Sequence, residues 1–204
     1  MDLTDILIRS MSGYIFIVPV IVCYLVYLKK KDKPLSLIRT ILLFVFSYYI
    51  IGILTMTGIG KLHSFSPRLV LTPSEDLIKL TIDTILNVIL FLPLGFFLPL
   101  MYKNFKNVGK VVLTGFLLSL SIEIVQMFGR GSTDVNDLIT NTLGTILGYL
   151  FYKILSKFIL KKINITEESN IISNNIELTI IIILSYIILI TIQAWIISKF
   201  FGLG

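Results

Sequence analysis

The sequence predicts an all-α fold, a polytopic integral membrane bundle of about six transmembrane helices, and three observations carry that prediction. Only 15% of the 204 residues are charged while 55% are hydrophobic, with a mean hydropathy of +0.92; soluble domains are about a quarter charged. The apolar residues are collected into six runs near the ~17–25 residues a helix needs to cross a bilayer. The basic residues gather between alternate runs instead of within them. A single integral membrane domain over residues 1–204 follows.

The first run, residues 13–28, reaches span length by borrowing residues 6–12 in a tilted helix, and Pro19 inside it predicts a kink. The N-terminus MDLTDILIRSMSGY has neither a basic start nor a small-residue cleavage site, so this run reads as a retained span and not as a signal peptide. Lys29, Lys30, Lys31 and Lys33 then open the first polar loop, residues 29–36. The second run, 37–56, ends in a segment rich in Gly, Ser and Pro; residues 57–79 are too many for a tight turn and read as a surface loop. The third run, 80–102, carries Asp83 and Asn87 early and Pro93, Gly95 and Pro99 later, which predicts a bent or locally opened helix.

Residues 103–110 form a second lysine-rich loop before the fourth run, 111–128. The breaker Gly129-Arg130-Gly131 separates it from the fifth run, 135–152, in which Gly144 and Gly148 form a G-x-x-x-G that admits close approach of another helix. A polar loop, 153–177, precedes the sixth run, 178–198, with Trp195 as an interface anchor.

The net charge of +6 and a pI near 9.4 would raise nucleic acid as a partner in a soluble chain. Here the charge has a topological reading. The loops after spans one, three and five, with Arg39, hold 12 of the 18 basic residues, so that side is cytoplasmic. Both termini, the 57–79 loop and the turn at 129–133 are then extracytoplasmic, in a bacterial plasma membrane. No basic face remains to track phosphates, so nucleic acid is excluded as a partner. One cysteine, Cys23, and one histidine, His63, exclude an intramolecular disulfide and a Cys/His zinc cluster within the chain.

Polar side chains concentrate in SIEIVQMFGRGSTDVNDLITN, residues 121–141. Glu123, Gln126 and Arg130 are spaced i, i+3, i+7, and the spacing recurs in Asp134, Asp137 and Asn141, so each trio lies along one helix stripe. Two antiparallel helices joined at the breaker would bring both stripes together as a polar pocket, with Asn87 beside it. An acidic group inside a span costs a few kcal/mol by insertion scales, at most about 3.5 for Asp at the centre. Glu123 therefore either pairs with Arg130, handles a proton or grips a ligand, or lies exposed at the helix end. Ser132, Thr133 or Asp134 can cap the fifth helix with Asp137 in its first turn, where a carboxylate meets the helix dipole favourably. Alternatively Asp134 and Asp137, with Glu123 and Asn87, supply oxygen ligands to Mg²⁺; no cofactor is otherwise indicated. Asn87 reads as an interhelical hydrogen-bond donor, and Arg130 as a group able to hold a carboxylate or phosphate. No Ser/His/Asp triad or Walker-type loop is present.

At NVILFLPLGFFLP, residues 87–99, and SIEIVQMFGRGSTDVNDLITNTLGTILGY, residues 121–149, the chain resembles the VanZ-like family of bacterial membrane proteins. That family's founding member is associated with resistance to the glycopeptide teicoplanin. The resemblance implies functional positions at Asn87, Glu123, Gln126, Arg130, Asp134, Asp137 and Asn141. Teicoplanin acts outside the cell on precursors ending in D-Ala-D-Ala and carries a fatty-acyl tail, so the resemblance fits a pocket opening to the outer leaflet; the abundance of Ile, Lys and Asn fits a Gram-positive source.

The expectation is a membrane protein that reduces susceptibility to teicoplanin-type lipoglycopeptides. It would act at the outer leaflet through the polar pocket, which binds a membrane lipid, a lipid-linked peptidoglycan precursor or the drug. The alternative is an enzyme modifying a lipid-linked or envelope substrate, with Glu123 as general acid or base. A transporter is disfavoured, because the cytoplasmic halves of the runs carry almost no charged residues.

Overall fold

The computed structural model describes residues 3–60, 69–70, 81–128, 133–158, 174–193, 195 and 199. Among the described residues there are six α-helices: α1 (Leu3–Lys30), α2 (Leu37–Met56), α3 (Ile82–Met101), α4 (Val108–Gln126), α5 (Val135–Phe158) and α6 (Asn174–Ile187). A π-helical segment, Ile188–Gln193, continues α6. Each of the six is long and apolar enough to cross a membrane, counting α6 with its continuation. Among the described residues the β structure is two-residue strands, β1 (Leu69–Val70) and β2 (Thr133–Asp134), paired in parallel.

The helices form two compact units, Met1–Leu62 with Glu167–Gly204, and His63–Thr166. In the first, α1, α2 and α6 pack around Ile17, Leu43, Phe46 and Ile50. α1 ends in a Schellman motif: Lys33 N donates to Leu28 O and Asp32 N to Lys29 O, both at 3.1 Å, with Asp32 in the left-handed region at φ 56°. Ser36 then caps α2 by accepting from Arg39 N at 3.3 Å.

Two expectations for this unit need correcting. Arg39 is not a loop residue: it lies in the first turn of α2, 4% exposed, with its guanidinium 2.6 Å from Glu177. The polar 153–177 segment is also shorter than expected as a loop, since α5 runs on to Phe158 and α6 begins at Asn174. Glu177 is thereby a first-turn residue, where the helix dipole favours a carboxylate.

The second unit rests on the contact between α3 and α5. A Cβ at Gly144 would overlap the Val88 carbonyl, one at Gly148 the Leu92 carbonyl, and one at Gly95 the Thr145 carbonyl. Val88 and Leu92 are four residues apart, as are Gly144 and Gly148, so the two helices run in the same direction with backbones in contact. Without a hydrophobic force between helices in lipid, such close approach supplies the packing energy. α3 is continuous through Pro93 and Pro99, contrary to a locally opened helix; Gly95 serves the approach to α5 instead of a break. α4 runs antiparallel to α5, because Gly115 faces Thr145 while Ser119, one turn on, bonds Asn141, one turn back.

The α3–α5 contact leaves no room for a side chain at Gly148. Gly148→Val should cost about 3 kcal/mol, the upper end of the usual overpacking range, read as a large fall in melting temperature in detergent or loss of the monodisperse species. Wild-type melting of this variant would contradict the backbone contact.

Candidate functional site

Of the polar residues predicted to share a pocket, Asn87, Glu123, Asp134, Asp137 and Asn141 lie toward one end of the α3–α4–α5 unit. Glu123 lies in the last turn of α4, 3% exposed, and its Oε2 accepts from the Asp134 backbone N at 2.8 Å. Thr133 Oγ1 donates to the Glu123 carbonyl at 2.9 Å. The carboxylate and carbonyl of one residue thus hold both ends of the Thr133–Asp134 dipeptide. Asp134 in turn accepts from Asn136 N at 2.8 Å through Oδ1, the geometry that starts α5.

Asp137, in the first turn of α5, accepts from Asn87 Nδ2 at 2.7 Å, which ties α3 to α5 as the interhelical reading of Asn87 requires. One turn deeper, Asn141 (2% exposed) donates through Nδ2 to Ser119 Oγ at 2.9 Å. Thr145 donates to the Asn141 carbonyl at 3.0 Å. Gln126 closes α4, half-buried. Between the two predicted stripes, Glu123 meets Asp134, at its backbone and not its carboxylate, because α5 begins there and offers free N–H groups.

Arg130 lies outside the described residues, together with Gly129, Gly131 and Ser132, and so does His63. The Mg²⁺ reading gains nothing: among the described residues no group of three or more His, Cys, Asp or Glu side chains is placed to hold a metal ion. Asp134 and Asp137 each give an oxygen to a nitrogen donor instead.

Ser119, Asn136 and Thr145 were not singled out by the sequence, and Thr133 was read only as a candidate helix cap. Ser119 sits one turn before Glu123 on the same stripe and Thr145 one turn after Asn141, so extending each stripe by four residues would have found both. The strand pair adds a further neighbour: Leu69 and Val70, from the 57–79 segment, run beside Thr133 and Asp134. Part of that segment therefore borders the site.

These features define a multi-pass membrane protein in which one three-helix unit gathers its polar groups at a single end. Residues 16–156 match the family model described as VanZ/LLP1, and the chain belongs to that family, one associated with glycopeptide resistance. Among curated proteins it is similar to Protein VanZ of Enterococcus faecium, at 42% identity over 79 residues, 37% of this chain and 47% of that protein. The matched region thus spans about half of the relative's length. No solved structure matches the chain.

If Glu123 closes the α4–α5 connection through its side-chain oxygen, an amide oxygen should substitute for it and a methyl group should not. Glu123→Ala leaves the Asp134 N–H without its acceptor, at a cost of about 1–3 kcal/mol, whereas Glu123→Gln should retain most of the stability. Thermal unfolding in detergent distinguishes them; equal losses in both would show that the charge, and not the hydrogen bond, is what matters.

Proposed function

We propose that the protein lowers susceptibility to teicoplanin-type lipoglycopeptides by binding an amphiphile at the outer leaflet through the polar end of the α3–α4–α5 unit. The observation that carries this reading is the convergence of Asn87, Glu123, Asp134, Asp137 and Asn141, from three apolar helices, on one end of the unit. Polar groups are expensive at membrane depth and mark ligand sites when they gather this way.

Orientation supports the outer leaflet. Lys103, Lys106 and Lys110 precede or open α4, and Lys153 and Lys157 lie toward the end of α5, all at the opposite end from Glu123 and Asp137. The positive-inside rule then assigns Glu123 and Asp137 to the extracytoplasmic side, and both termini with them. Arg130 follows Glu123 by seven residues and would supply the cation that meets a phosphate or carboxylate. The ligand class is a membrane lipid, a lipid-linked cell-wall precursor or the acylated drug.

Binding is favoured over catalysis by the engagement of Glu123: its carboxylate oxygen is held by the backbone amide that begins α5, a structural duty that suits an orienting group better than a proton shuttle.

Glu123→Gln and Arg130→Ala, at matched expression, should each reduce protection against teicoplanin. Arg130→Ala should have the larger effect, because Gln keeps the hydrogen bond to Asp134. Unchanged susceptibility in both would remove this end of the unit from the mechanism. A mass change in envelope lipids or precursors from expressing cells would favour the enzymatic reading.

A further inference from the structure

The unit built from α1, α2 and α6 holds a second set of buried charges that the proposed function does not use. Glu177 accepts from Arg39 Nη2 at 2.6 Å and from Tyr24 Oη at 2.7 Å. Arg39 and Glu177 are 4% and 8% exposed. Opposite charges so close, with both carboxylate oxygens hydrogen-bonded, present little net field to their surroundings.

Against this cluster lies a cavity of about 310 Å³ lined by Ile17, Ile21, Leu43, Ile180 and Leu184, with Tyr24 and Glu177 also on its wall. Its size is at the low end of the ~300–1,000 Å³ typical of ligand pockets. The lining extends seven residues along α1, from Ile17 to Tyr24, and seven along α6, from Glu177 to Leu184; at 1.5 Å per residue that is roughly 10 Å. Val20 and Ile180 also line it and are 43% and 49% exposed, so the cavity opens on the outer face of the helices. A cavity walled by Ile, Leu and Val does not hold ordered water; in a bilayer its natural occupant is hydrocarbon.

What stands beyond the Tyr24 end decides which hydrocarbon-bearing molecule fits. Lys29, Lys30, Lys31 and Lys33 are all exposed, and Lys29 is five residues past Tyr24, about 8 Å further along the helix axis. The Schellman turn at Asp32 ends α1 within this cluster and brings the Lys33 backbone back to the Leu28 carbonyl. Four cations against the one carboxylate of Asp32 form the kind of juxtamembrane cluster that attracts anionic head groups.

We propose that this unit is a binding site for one anionic phospholipid, with an acyl chain in the cavity below Tyr24 and Glu177 and its phosphate on the Lys29–Lys33 cluster. The Tyr24–Glu177–Arg39 cluster closes the polar end of the cavity and leaves head-group selection to the lysines. The site lies wholly within one unit and does not depend on the function proposed for the other.

Cys23, the chain's single cysteine, is exposed and lines the same cavity, so it reports occupancy. The full chain is reconstituted in phosphatidylcholine vesicles with and without phosphatidylglycerol, and the rate of Cys23 alkylation by a maleimide is measured. Phosphatidylglycerol should slow alkylation on the order of tenfold, and replacing all four lysines by Gln should abolish the difference. Equal rates in the two vesicles, or protection that survives the loss of the lysines, overturns the proposal. Native mass spectrometry provides a second arm: the wild type should retain one phosphatidylglycerol, and Val20→Trp, which fills the cavity mouth while keeping the lysines, should lose it. Wild-type retention by Val20→Trp overturns the assignment of the acyl chain to the cavity.

Discussion

The α3–α5 contact sets the geometry of everything at the candidate site. Gly144 and Gly148 lie against the Val88 and Leu92 carbonyls, and Gly95 lies against Thr145. Contacts of this kind permit one register, because a slip of even one residue would place a side chain where only backbone fits. Gly95 faces Thr145, and Asn87 and Asp137 each lie eight positions before these two residues, so the pair shares that register. The hydrogen bond between them follows from the glycine register.

The polar groups that result obey the constraint that lipid imposes on any spanning segment, which is that donors and acceptors find partners inside the protein. The last carbonyls of α4 and the first amides of α5 would be the most exposed to this penalty. Glu123 meets it directly, with its side chain on the Asp134 amide and its carbonyl on the Thr133 hydroxyl. Asn141 and Ser119 do the same one turn deeper. A carboxylate bonded in this way fixes where α5 begins relative to the last turn of α4. The β1–β2 pairing brings Leu69 and Val70 to the same rim.

Much of this was legible in the sequence. Six apolar runs of span length became six helices, and the G-x-x-x-G did mark a close approach. Glu123 does meet Asp134 across the two stripes, and the helices are legible because helical periodicity and bilayer thickness are strong local constraints. What escaped was pairing over long sequence separation. Nothing near Arg39 announces Glu177, and a polar stretch ending at residue 177 resembles a loop until α2 and α1 supply a guanidinium and a phenol. The proline-rich third run looked breakable by local rules, yet Gly95 is spent on packing against α5. The short β1 strand has no apolar alternation to reveal it, since its partner is only two residues long.

The two units handle buried charge differently: one neutralises Glu177 with Arg39 and Tyr24, the other gives its carboxylates to backbone and amide nitrogen donors. The second arrangement keeps several acidic groups together at one helix end, and it exists only if α3 and α5 hold the register described. A double-mutant cycle on Asn87→Ala and Asp137→Ala, read by unfolding in detergent, tests this most directly. The account predicts a coupling free energy of about 0.6–1.7 kcal/mol, the range found for interhelical hydrogen bonds in membranes. Strictly additive losses would contradict it.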